Sequence, residues 1–160
     1  MCHMATRSFS LEGLGGKGPV QRARDTARVL GIKRLPSSEL ELAEMVSRGL
    51  PIAALASLSG SLGWSRTKLF SQLGVAPRTA ARRLQRGALL TVPESDRLLR
   101  VARIFARATD VLESMGSAGR WLIEPCAALA GRKPLDLLAT DLGTELVLNE
   151  LGKIDQGFFA

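Results

Sequence analysis

From Ser38 onward the apolar residues of this chain return at helical rather than alternating intervals, as in Leu40, Leu42, Val46, Leu50 and Leu55, and no run of β-branched and aromatic residues reads as a strand. Glycine and proline cut that pattern into short pieces, at Gly49, Pro51, Gly60, Gly63, Gly74, Gly87, Pro93, Gly116, Gly119, Pro125, Gly131, Pro134 and Gly152. The fold class is therefore all-α, built of short helices. A length of 160 residues allows one domain or two small ones, and 46% apolar with 23% charged residues is the composition of an ordinary globular protein. The longest apolar stretch, residues 50–58, is broken by Pro51 and Ser57 and falls far short of the roughly 18 residues a membrane span requires. No membrane partner is expected, the first residues lack a secretory layout, and a cytoplasmic location follows as the expectation.

The division along the chain follows composition. Residues 1–37 are basic and carry Gly13, Gly15, Gly16 and Gly18 before Pro19, which predicts a flexible segment. A helix-turn-helix unit with a following long helix occupies 38–115, and a second small helical domain 116–160. Charge separates the regions further: residues 61–107 hold ten Lys and Arg against two acids, while 108–160 hold four against eight. The middle of the chain can approach a polyanion and the last third is repelled by one, so two partners of different kind are implied.

Ser65 suits an N-cap for a helix over 66–73, after which Gly74 supplies a left-handed turn position. Pro77 suits the first turn of the next helix, which runs to about Arg86 and stops at Gly87. On that second helix Ala80 and Leu84 point inward, and Arg78, Thr79, Arg82, Arg83 and Arg86 form the opposite face. Guanidinium groups neutralise phosphates and donate paired hydrogen bonds to a guanine edge, so helix, short turn and arginine-rich helix together predict a DNA-binding helix-turn-helix. Ser65 and Lys68 of the preceding helix join the DNA-facing set. The bland alternative is a solvated surface helix.

A long helix from Glu94 to Glu113 follows, with Pro93 and Ser95 at its start and Glu94 and Asp96 as helix-start acids. Leu98, Ala102, Phe105 and Leu112 lie along one side of it. That side is either buried within the subunit or the seam of a two-fold dimer, the arrangement that DNA readers of this type use on paired half-sites.

The last stretch is the most distinctive: GRKPLDLLATDLGTELVLNELGKIDQGFFA, a Gly/Pro turn, a short apolar run, a capped helix and an aromatic end. Phe158 and Phe159 need burial on this subunit or on a partner, which marks the ending as a contact surface. Trp121 is as readily core as contact, and Leu137 and Leu142 are expected in the core. Cys2 and Cys126 imply neither a disulfide framework nor a zinc site, Cys126 is expected as a small core residue, and His3 is given no role.

Taken together, LGVAPRTAARRLQRGALLTVPESDRLLRVARIFARATDVL and WLIEPCAALAGRKPLDLLATDLGTELVLNELGKIDQGFFA resemble the Xre/ParS-type antitoxins, in which an Xre-like helix-turn-helix precedes a small toxin-binding domain. The resemblance spans about 38–160, and the order ESDRLLR, Trp-Leu, GRKPLDLL, LGKIDQGFFA carries it. It implies a partner toxin of the RES-domain type that consumes NAD, inhibited by a C-terminal domain lying over its substrate cleft, and repression of the chain's own promoter by binding operator DNA. The toxin-contact positions it implies are Trp121, Lys133, Pro134, Leu135, Leu138, Lys153, Ile154, Phe158 and Phe159. The acids Asp136, Asp141, Glu145, Glu150 and Asp155 complement the basic cleft that an enzyme of an anionic dinucleotide requires. Two positions depart from the family pattern: Phe70, where a small side chain is usual, and Arg83, where an inward apolar residue is usual. Both imply an altered helix crossing.

No cofactor or metal is expected, and no Ser/His/Asp set, metal cluster, phosphate-cradling Gly loop or general-base histidine supports an enzyme. A stand-alone dimeric helix-turn-helix regulator, with a C-terminal domain that senses a ligand or partner, is the competing reading.

Overall fold

The computed structural model describes residues 17–157. Among them the chain is helical, with two isolated β-bridges and no strand: α1 (Pro19–Val29), α2 (Glu39–Arg48), α3 (Ala53–Leu62), α4 (Arg66–Gln72), α5 (Pro77–Gln85), α6 (Val92–Leu112), α7 (Met115–Ile123), a 3-10 turn (Ala127–Leu129), α8 (Pro134–Leu137) and α9 (Asp141–Asp155). The all-α architecture is as the periodicity predicts.

α6 is the spine. Thr91 accepts from the Glu94 amide while the Glu94 carboxylate accepts from the Thr91 amide, a capping box that fixes where the helix starts. From there Leu98, Val101, Ala102, Ile104, Phe105 and Ala108 are buried against α1, α2, α3, α7 and α9. Buried Ser95 accepts a 2.9 Å hydrogen bond from the Leu50 amide, tying the spine to the turn between α2 and α3. One continuous apolar core runs from Leu30 through Leu55, Leu69 and Phe105 to Leu122, Val147 and Leu151.

The N-terminal expectation requires correction. Of the segment 1–37 read as flexible, residues 19–29 form α1, begun by Pro19 and burying Ala23, Thr26 and Ala27 towards α6. Small residues at these positions let α1 approach the spine closely, so it orders itself with few large apolar side chains. Lys17 adds a tie, bonding Asp25 at 2.8 Å and Asp110 of α6 at 2.7 Å.

The dimer seam is corrected as well. Leu98, Ala102 and Phe105 are fully enclosed within a single chain, each with no exposed surface, and Leu112 is half-buried. The apolar side of the long helix is packed by α1, α2, α3, α7 and α9 of the same subunit.

Candidate nucleic-acid and partner interfaces

The turn between α4 and α5 forms as the sequence predicts. Ser65 caps α4 by accepting from the Lys68 amide, the Val75 amide closes back on the Phe70 carbonyl at 2.9 Å, and Gly74 takes φ +71° where an L side chain is strained. Arg97 of α6 braces the turn through the Leu73 carbonyl. Pro77 opens α5 and Ala80 is fully buried. Phe70 is buried in the same core cluster as Leu69 and Leu73.

Of the seven DNA-contact candidates, Ser65, Lys68, Arg78, Thr79, Arg82 and Arg86 are exposed. Lys68 also lies 5.1 Å over the Trp64 ring. Arg83 does not belong with them. Its side chain is only 20% exposed and forms two 2.9 Å bonds to the Glu94 carboxylate and one of 2.8 Å to the Leu89 carbonyl. The fork geometry of a guanidinium against a carboxylate makes this pair a bolt between α5 and the capping box of α6. Those bonds, opposed by partial desolvation, hold Glu94 down at about 2, and the Glu94 contact raises the Arg83 pKa. Arg83 thus occupies the inward position that an apolar residue usually holds by finding an acid there, while Leu84 is half-buried against the core. Among the described residues the exposed side of α5 retains three guanidinium groups without an ion pair, those of Arg78, Arg82 and Arg86.

The C-terminal candidates divide in the same way. Trp121 and Ile154 are half-buried, and Lys133 and Lys153 are exposed, the latter 3.3 Å from the buried Glu150 carboxylate. Pro134, Leu135 and Leu138 are buried and hold α8 to the core, so they are removed from the contact set. Phe158 and Phe159 lie outside the described residues. Cys126 is a half-buried thiol. Leu142 corrects the reading in the other direction: expected in the core, it is 68% exposed, and Leu146 one turn later is 48% exposed. The reason is the phase of α9, whose buried side is Gly143, Val147, Glu150 and Leu151. A Cβ at Gly143 would collide with the Leu137 carbonyl, so the glycine presses this side against α8 and turns Leu142 outward. A leucine beside a core-facing glycine is the sequence signal for that phase, legible only once the glycine is known to be a contact position.

Much of the charge asymmetry is internal. Arg100 binds Asp96 at 2.7 Å, Asp141 at 2.9 Å and the Leu138 carbonyl at 3.2 Å, and Arg107 binds Asp155 at 2.8 Å. Basic α6 and acidic α9 are therefore joined by ion pairs. The groove of about 520 Å³ between α1, α2, α6 and α9 places five cationic side chains among six acids and offers no site for a polyanion. Among the five acids expected to face a basic cleft, Asp136 and Glu145 are exposed without an ion pair in the described residues.

The structure thus joins a helix-turn-helix with an exposed arginine face, through a spine helix, to a second helical unit with outward leucines. Residues 41–103 match the antitoxin Xre-like helix-turn-helix domain, and residues 107–157 match the antitoxin Xre/MbcA/ParS C-terminal toxin-binding domain. The chain belongs to this antitoxin family. The first matched stretch ends and the second begins inside α6. Among its relatives are an Antitoxin Xre of Yersinia enterocolitica, 26% identical over 144 residues covering 89% of this chain and 95% of that protein, and the Prs ADP-ribosylating antitoxin of Sphingobium sp., 25% identical over 133 residues covering 78% and 84%. An Antitoxin Xre of Pseudomonas putida is 42% identical over 81 residues, a match spanning about half of each chain, 51% in both cases.

Proposed function

We propose that this antitoxin neutralises an NAD-consuming toxin of the RES type by laying its C-terminal domain over the toxin's substrate cleft, and that it binds operator DNA through α5. The match of 107–157 to a toxin-binding domain carries the reading. Support for NAD chemistry comes from the Sphingobium relative, whose name refers to ADP-ribosylation, a transfer that draws ADP-ribose from NAD. Inhibition by occlusion asks for no reacting group on this chain, and the protein is read as non-catalytic and cytoplasmic. The contact set comprises Trp121, Lys133, Lys153 and Ile154 with the terminal Phe158 and Phe159. On DNA, Arg78, Arg82 and Arg86 with Thr79, Ser65 and Lys68 form the contact face. A dimer on paired half-sites would use a surface other than Leu98, Ala102 and Phe105. The division 38–115 and 116–160 is retained, with α6 serving both parts.

The test is NAD consumption by the toxin expressed from the reading frame adjoining that of this chain. Stoichiometric full-length protein should abolish it, removal of residues 158–160 should weaken inhibition, and operator binding by the truncated protein should be unchanged. NAD consumption that continues in excess antitoxin would sink the reading.

A further inference from the structure

We propose that the outward face of α9, built on Leu142 and Leu146 and continued by Asn149 and Lys153, is an apolar anchor that inserts into a depression on the toxin. The inference rests on the antitoxin reading above and assigns it a surface that sequence matching does not. Four positions spaced by four, three and four residues lie in one stripe on a helix. The opposite side of α9 already fills the core through Val147 and Leu151, so the two leucines contribute little to folding. Leu142 stays 68% and Leu146 48% exposed among the described residues, although α9 is otherwise committed: Asp141 and Asp155 are bonded to α6, and the close approach of Gly143 to α8 fixes the rotation of the helix. A rigid helix presenting two leucines loses little conformational freedom on docking, which is the condition under which apolar contacts hold a complex.

Charge selects the occupant. The leucine pair is flanked by exposed Glu145, with no ion pair among the described residues, and by Asp141, whose side chain is 90% exposed. An apolar depression rimmed by Arg or Lys fits this pattern, and an enzyme that binds an anionic dinucleotide carries such a rim. A second copy of this chain would set the same carboxylates against each other.

The experiment uses the full-length protein and the toxin from the adjoining reading frame. Leu142→Asp with Leu146→Asp should weaken toxin binding roughly 100-fold or more, as loss of two buried anchors does, while the helical circular dichroism, thermal midpoint and operator affinity stay at parental values. Glu145→Lys should slow association at low salt and leave the dissociation rate unchanged. Should the parent bind the toxin and the double variant bind it within twofold, the α9 face is overturned and the antitoxin reading stands. Should the parent itself fail to bind, both are overturned. A double variant that instead breaks a parental dimer in sedimentation, with toxin affinity intact, assigns the face to a second copy and likewise overturns the proposal.

Discussion

α5 and α9 are both surface helices with one side sealed into the same core, yet they leave opposite kinds of group free. On α5 the exposed side holds Arg78, Arg82 and Arg86 and no large apolar residue. On α9 the exposed side holds Leu142 and Leu146, while Asp141 and Asp155 are bonded to arginines of α6. The contrast separates two ways of recognising a partner. Free guanidinium groups act at a distance and weaken as salt rises. Leucines act on contact, depend on the shape they enter and are nearly indifferent to salt. If the two proposed activities live on these two helices, salt should separate them in one protein.

The harshest test of the comparison removes what both helices stand on. Phe105→Ala should destabilise the fold by about 3–5 kcal/mol, the usual cost of emptying a fully buried aromatic site. Chemical denaturation of variant and parent at one protein concentration measures it. A loss well below that range would mean that Phe105 is not a keystone of the subunit core. Next in size, Glu94→Gln tests the bolt between α5 and α6. Glu94 sits at about 2 in the folded chain against an ordinary value of 4.5, so its stabilisation is complete above pH 4.5 and is lost as pH falls towards 2. The substitution should cost on the order of 2–3 kcal/mol at neutral pH. It should also flatten the stability profile between pH 4.5 and 2. A profile as steep as the parent's would mean that other carboxylates carry the acid transition. Smaller still for folding, Arg82→Ala and Arg86→Ala should each leave stability within about 0.5 kcal/mol. Each should lower operator affinity and reduce the salt slope by about one ion. Toxin binding by either variant should match the parent.

What the sequence makes legible is whatever depends on local chemistry. The Ser65 cap, the Gly74 turn, Pro77 at the start of α5 and the stop at Gly87 all appear where turn and cap preferences put them, since each is decided within a few residues. Apart from α1, missed because its small buried residues give a weak apolar signal, the errors are matters of which side of a helix meets what. Leu98, Ala102 and Phe105 are read correctly as one apolar side, but periodicity cannot say whether the partner of that side is the same chain or another. Leu135 and Leu142 exchange roles for the same reason, because the rotation of α9 is set by Gly143 against α8, a contact between distinct elements. Arg83 looks like its arginine neighbours until the fold brings Glu94, eleven residues away, within reach of it.

The smallest effect discriminates most finely between the two helices' modes of action. Lys68 is exposed on α4, and its ammonium sits 5.1 Å from the centre of the Trp64 ring. An exposed contact of that kind contributes roughly 0.5–1 kcal/mol, so Lys68→Ala should shift folding stability by no more than that. If the ammonium also meets a phosphate, the same substitution should take about one further ion from the salt dependence of operator binding. The two measurements are independent. A stability loss with an unchanged salt slope would confine Lys68 to Trp64 and shrink the DNA-facing surface to α5, whereas an altered slope with unchanged stability would extend that surface onto α4 and leave the ring contact incidental.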